Sequence, residues 1–173
     1  MIFLRERIGK LLRDLEDLIY TDEMPVAGFR YLQSAEKFQD VSKICTDGWD
    51  YCDAYPLTWG GHRAYYWFEA VVTIPEEMDG QCVVYEQTTG KEGGWDATNP
   101  QFTIYVNDVL RQGLDINHRE VLLADRAKAG EQYRIRLSAF TGDHNMHLVL
   151  DARIKVLHPD NEKYYYDLKM PYD

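Results

Sequence analysis

The run Met146-His147-Leu148-Val149-Leu150-Asp151-Ala152-Arg153-Ile154-Lys155-Val156 decides the fold. Met146, Leu148, Leu150, Ala152, Ile154 and Val156 alternate with His147, Asp151, Arg153 and Lys155. An extended strand sends successive side chains to opposite faces, so a period of two gives one dry and one wet face. The same period recurs elsewhere. Tyr66, Phe68, Ala70, Val72 and Ile74 alternate with Trp67, Glu69, Val71 and Thr73. Phe102, Ile104 and Val106 alternate with Thr103, Tyr105 and Asn107, and Tyr133, Ile135, Leu137 and Ala139 with Arg134, Arg136 and Ser138. Turn formers separate the runs: Met78-Asp79-Gly80, Gly93-Gly94, Asn107-Asp108, Ala129-Gly130 and Gly142-Asp143. Asn107-Asp108 reads as a two-residue hairpin turn. Short strands at this spacing, with no helical pattern between them, point to an antiparallel sandwich or barrel and against a parallel α/β sheet.

The chain begins differently. Leu4, Ile8, Leu11, Leu12, Leu15, Leu18 and Ile19 recur at three- and four-residue spacing, with Arg5, Glu6, Lys10, Arg13, Asp14 and Asp17 on the other side. This is an amphipathic helix, expected to end before Asp22 and Pro25. Its apolar stripe needs a cover, either its own sheet or a larger partner. Residues 34 to 62 are weakly patterned and read as a long surface excursion. The tail from Asp160, with Tyr164-Tyr165-Tyr166 and Pro171, reads as a final strand or an exit linker. The expected division is a helix over 1–24, a β-sandwich over 25–160 and an exit segment over 161–173.

A chain of 173 residues is long enough to bury a core without disulfides or metals. The net charge of −10 disfavours nucleic acid and anionic membranes as partners. No apolar run approaches the roughly 20 residues that span a bilayer. The charged Met1-Ile2-Phe3-Leu4-Arg5-Glu6-Arg7 does not read as a signal peptide, and three cysteines suit a reducing compartment, so a cytoplasmic location is expected.

Catalytic signatures are wanting. Glycosidases need two facing carboxylates, and Glu76-Glu77 reads as a solvated turn. A zinc site needs three ligands; His144 and His147 fall on opposite faces of a strand, and His158-Pro159-Asp160 stands alone. No nucleophile motif or phosphate loop is present. We therefore expect no catalytic residue, metal or cofactor in this stretch.

Three clusters invite a binding role. Trp95, Asp96 and Asn99 sit in Gly93-Gly94-Trp95-Asp96-Ala97-Thr98-Asn99-Pro100, where a Trp face can stack on a pyranose while acid and amide take its hydroxyls, or where the Trp plugs the sandwich end. His118 and Arg119, in Asn117-His118-Arg119-Glu120, form a hydrogen-bonded corner or part of a binding face. Trp59, His62 and Arg63, in Trp59-Gly60-Gly61-His62-Arg63, suit a domain interface or a ligand.

Taken together, Arg5-Glu6-Arg7-Ile8, Pro25-Val26-Ala27-Gly28-Phe29-Arg30, Trp59 to Phe68, Ile74 to Gly80, Gly90 to Asp96 and Asn117 to Glu120 resemble the N-terminal domain of the bacterial and fungal vacuolar-type α-mannosidases of glycoside hydrolase family 38. The resemblance covers nearly the whole chain. It implies a helix plus a jelly-roll sandwich of the galactose-binding, carbohydrate-binding-module type. It further implies a separate zinc-dependent, retaining catalytic domain acting on terminal α-mannosides, expected beyond residue 173. His158-Pro159-Asp160 does not match that family's zinc motif, so zinc belongs to the implied parent and no catalytic residue carries over. The implied partners are that catalytic domain, a further copy of the chain, or a carbohydrate. The alternative is a self-sufficient module recognising mannosides through Trp95 and its neighbours.

Overall fold

The computed structural model describes residues 2–34, 40–93 and 99–172. Helix α1 (Ile2–Glu16) is followed by strands β1 (Tyr20–Pro25), β2 (Phe29–Ser34), β3 (Asp50–Cys52), β4 (Leu57–Gly61), β5 (Tyr65–Thr73), β6 (Val83–Thr88), β7 (Gln101–Val106), β8 (Val109–Leu114), β9 (Glu120–Ala124), β10 (Gln132–Phe140) and β11 (Met146–Leu157), and by helix α2 (Pro159–Lys169). All strand pairings are antiparallel. One sheet runs β1-β11-β6-β9, with β4 also pairing on β11; the other runs β3-β2-β5-β10-β7-β8. The fold is the expected β-sandwich with an N-terminal helix.

The alternating phases built the core. Phe68, Ala70 and Val72 of β5, Ile104 and Val106 of β7, Ile135 and Leu137 of β10, and Leu148, Leu150, Ala152, Ile154 and Val156 of β11 meet between the sheets in one buried cluster. Each fully buried aliphatic side chain contributes about 1.5–3 kcal/mol relative to exposure. Asn107 and Asp108 both take positive φ (51° and 64°) and turn β7 into β8, the left-handed pair a two-residue hairpin requires.

Three local expectations need correction. Helix α1 ends at Glu16, not near Asp22, because Tyr20–Pro25 pairs with β11 as an edge strand, with a register shift where Asp22 takes φ 44°. The tail is neither strand nor extended linker. Pro159 occupies the first turn of α2, where its missing N–H costs nothing, Asp160 and Glu162 sit at the dipole-favoured N-terminus, and Lys169 sits in the last turn. The excursion over 34 to 62 contains β3 and β4, and β4 carries Trp59 into the core.

The two helices lie together on one end of the first sheet. Leu12, Ile19, Val84, Leu157 and Tyr165 form a second buried cluster, with Ile8, Leu15, Cys82, Leu168 and Tyr172 against it. So α1 docks on its own sheet through one stripe. Leu4, Leu11 and Leu18 remain exposed.

Candidate functional site

The outer face of the second sheet is divided by a buried cation. Arg136 of β10 is 7% exposed; its Nε donates to Glu69 Oε2 of β5 at 2.6 Å, and its Nη1 to Asp108 Oδ1 at 2.7 Å and to the Val41 carbonyl at 3.2 Å. This holds residues 41–43, a 3-10 turn, over that part of the sheet. Trp67 is buried beside Tyr105, ring centroids 5.9 Å apart.

Toward the other end of the same face the sheet is open. A groove of about 400 Å³ is lined by Tyr65, Gln101, Thr103, Gly113, Asp115, Ser138 and Phe140, among others. Tyr65 and Phe140 are cross-strand partners whose rings stack at 4.7 Å and 23°. Gly113, opposite Thr103, leaves the floor of the groove without a side chain. Asp115 stands just past the end of β8. The N–H groups of Asn117 and His118 each donate to its Oδ1 at 2.7 Å, and His118 Nδ1 lies 3.1 Å from the same oxygen. Burial alone would raise the Asp115 carboxyl, but these backbone and ring contacts outweigh it and hold the carboxyl below its usual range. Asp115 is the one ionisable acid or base lining the groove among the described residues, apart from the Tyr65 phenol.

A second groove, of about 340 Å³, lies on the other sheet and is lined by Glu23, Glu86, Thr88, Arg119, Asp151, Arg153 and Lys155. Its charges neutralise one another. Lys155 pairs with Glu86, Arg153 with Glu23 and with Asp151 at 3.1 Å, and Arg119 approaches Glu86 at 3.8 Å. The Tyr55 hydroxyl donates to Asp151. Burial opposes ionisation of Asp151, but Tyr55 and Arg153 outweigh it and keep the carboxyl below its usual range. No carboxyl here is poised to donate a proton at neutral pH, as the acid of a glycosidase must. Among the described residues no group of three or more His, Cys, Asp or Glu is arranged to hold a metal ion, and no helix is long and apolar enough to cross a membrane.

The residues singled out from sequence fall in distinct places. Trp95 and Asp96 lie outside the described residues. Asn99 packs over Gly142, two residues beyond Phe140, and stands two residues before Gln101. His118 is exposed on the turn it forms with Asp115, so it flanks the same groove. Arg119 belongs instead to the charged groove on the other sheet. Trp59 is buried, its Nε1 donating to the Val149 carbonyl at 3.2 Å and its ring edge-on to Tyr66, Phe68 and Phe102 at 5.3, 5.3 and 5.4 Å. His62 and Arg63 are exposed; Arg63 N–H donates to the Gly142 carbonyl at 3.0 Å, which puts this corner beside Asn99. Tyr65, Phe140, Gln101, Thr103, Ser138 and Asp115 were not singled out. Phe140 did carry a signal, since it continues the wet phase of Arg134, Arg136 and Ser138, where a bare aromatic ring is out of place.

No family model matches the chain, and no curated protein matches it. Solved structures do resemble it. A β-glucuronidase from glycoside hydrolase family 2 is 13% identical, with a TM-score of 0.51, over 80% of this chain and 18% of that one. A Faecalibacterium prausnitzii β-glucuronidase is 11% identical, TM-score 0.49, over 78% of this chain and 32% of that one. A family 35 carbohydrate binding module from Clostridium thermocellum is 14% identical, TM-score 0.36, over 78% of this chain and 98% of that one. The chain thus spans about a fifth to a third of the length of the two enzymes. The first likeness supports the β-sandwich fold. The expected kinship with the family 38 α-mannosidases is corrected by these findings: the neighbours are family 2 β-glucuronidases and a carbohydrate binding module, and no family model supports the mannosidase assignment.

Proposed function

We propose that the sandwich is a non-catalytic carbohydrate-binding accessory domain of a glycoside-processing enzyme, and that a neutral sugar occupies the groove over β5, β10, β7 and β8. The stacked Tyr65–Phe140 pair carries this reading. A pyranose has one face of C–H groups, which an aromatic ring desolvates favourably, and a rim of hydroxyls, which needs paired donors and acceptors. Gln101, Thr103, Ser138 and Asp115 supply those groups around the rings. The volume lies within the usual range of small-ligand sites, about 300–1,000 Å³.

The single carboxylate supports binding over hydrolysis, because glycoside cleavage needs a second one across the scissile bond. Asp115, held ionised by its own turn, suits a hydrogen-bond acceptor for sugar hydroxyls and repels an acidic sugar. Trp95 and Asp96, in the segment between Gly93 and Asn99, are proposed to add a further ring and acceptor beside the groove.

Calorimetric titration with a panel of neutral disaccharides (cellobiose, xylobiose, mannobiose and galactobiose) tests this. Binding of at least one in the millimolar range or tighter, abolished in Phe140→Ala, is expected. A flat response across the panel overturns the reading.

A further inference from the structure

Helix α1 carries two apolar stripes, and only one is used within the chain. Ile8, Leu12, Leu15 and Ile19 turn onto the sheet and α2. Leu4, Leu11 and Leu18 recur at seven-residue intervals and are 61%, 52% and 52% exposed. Leu18 follows the last regular turn but still donates its N–H to the Leu15 carbonyl at 3.0 Å, so the stripe is continuous. It lies on the side away from α2. Gly9 faces Tyr172 and Glu16 meets the Tyr165 hydroxyl, and at about 100° per residue those positions are roughly 150° around the helix from Leu11. Helix α2 therefore cannot cover it.

The charges along α1 identify an occupant. Residues 5–13 hold four bases (Arg5, Arg7, Lys10 and Arg13) and one acid (Glu6), whereas residues 14–23 hold five acids (Asp14, Glu16, Asp17, Asp22 and Glu23) and no base. A surface with a positive half and a negative half complements itself when turned by 180°. We propose that a second copy of this chain covers the stripe, with the two α1 helices antiparallel about a two-fold axis at Leu11. In this register Leu11 meets Leu11 of the second copy, Leu4 meets its Leu18, and Arg7 comes beside its Asp14. The helix dipoles also oppose one another. A parallel pairing would set basic end against basic end and acidic against acidic. Three leucines make a small contact, so the dimer is weak and depends on concentration.

Sedimentation velocity of the full 173-residue chain over a concentration series tests the pairing. A reversible monomer–dimer equilibrium is expected. Leu11→Glu gives monomer at every concentration, and because Leu11 is exposed it leaves the thermal midpoint and far-ultraviolet circular dichroism unchanged. Arg7→Asp and Asp14→Arg each weaken the dimer about tenfold, since the symmetry repeats each repulsion twice. The double variant R7D/D14R returns the dimer to near its original strength. A surface built for an unrelated protein would gain nothing from the double exchange. A wild-type chain that stays monomeric throughout, a dimer that survives Leu11→Glu, or a double exchange no better than the singles overturns the proposal.

Discussion

Arg136 and Glu69 face each other across β10 and β5 at 2.6 Å, nearly enclosed, with Asp108 closing on the other side of the guanidinium. The pair anchors the turn at Val41 and separates the covered part of the sheet from the open groove. Removing one member leaves a carboxylate buried without its partner, which costs more than the pair itself contributes. Arg136→Met should lower stability to chemical denaturation by about 3–5 kcal/mol. The double variant Arg136→Met with Glu69→Met should recover a substantial part of that loss. Equal losses in the single and double variants would show that the ion pair is not what the fold depends on here.

Two glycines with positive φ make opposite predictions. A Cβ at Gly60 would lie 2.1 Å from the Met146 carbonyl oxygen, a backbone atom fixed by the β4–β11 pairing, at φ 145°. Gly60→Ala should fail to yield folded chain. Gly80 has φ 71° and no heavy atom within 4 Å of an added Cβ. Gly80→Ala should fold and lose only the left-handed backbone penalty, about 1 kcal/mol, read as a shift in the denaturation midpoint.

Glu120 supplies a pH signature. Burial pushes its carboxyl above the ordinary 4.5, against the hydrogen bond from the Tyr20 hydroxyl, and Glu162 and Glu86 nearby add to the rise. Ionisation is then harder in the folded chain than in the unfolded one. The penalty is absent below pH 4.5, grows as pH rises from there through the raised folded value, and is complete above it. Glu120→Gln should raise the melting temperature at pH 7 and leave it equal to wild type at pH 4. Asp115, Asp151 and Glu92 have the opposite sign, each held below its usual range, so their stabilisation is lost as pH falls below the ordinary carboxylate range. That loss is common to both proteins and cancels in the comparison. An equal difference at both pH values would contradict the assignment.

The groove makes a prediction about charge. Asp115 is its one carboxylate and no Lys or Arg lines it, so a disaccharide bearing a uronate should bind at least about tenfold more weakly than its neutral counterpart. Asp115→Asn should narrow that gap. A uronate that binds as well as the neutral sugar would place the acceptor elsewhere.

Much of the sandwich was legible because one face of each long strand is dry. β5, β7, β10 and β11 declare themselves by alternation, and their inward residues are those that meet in the core. The misread elements lack that contrast. β8 is exposed from Val109 to Gly113, so its side chains record no inside. β4 holds two glycines among five residues and was lost in the excursion around it. In α2 the tyrosine run hid the helical spacing of Tyr165, Leu168 and Tyr172, although Pro159 with Asp160 and Glu162 signalled a helix start. The groove was less legible than the fold. It is assembled from residues up to 75 positions apart, Tyr65 against Phe140, and only strand register brings those rings together. The sequence drew attention to its edges, Asn99 and His118, because polar and turn-forming residues cluster there. Trp59, the conspicuous aromatic of the middle segment, is a core residue.

The most direct test is an amide chemical-shift map of the ¹⁵N-labelled chain titrated with whichever neutral disaccharide binds best. The account predicts saturable shifts confined to Tyr65, Gln101, Thr103, Gly113, Asp115, Ser138 and Phe140, with the resonances of Glu86, Asp151 and Arg153 unmoved. Shifts centred on that second trio, or no saturable shift with any neutral sugar, would contradict it.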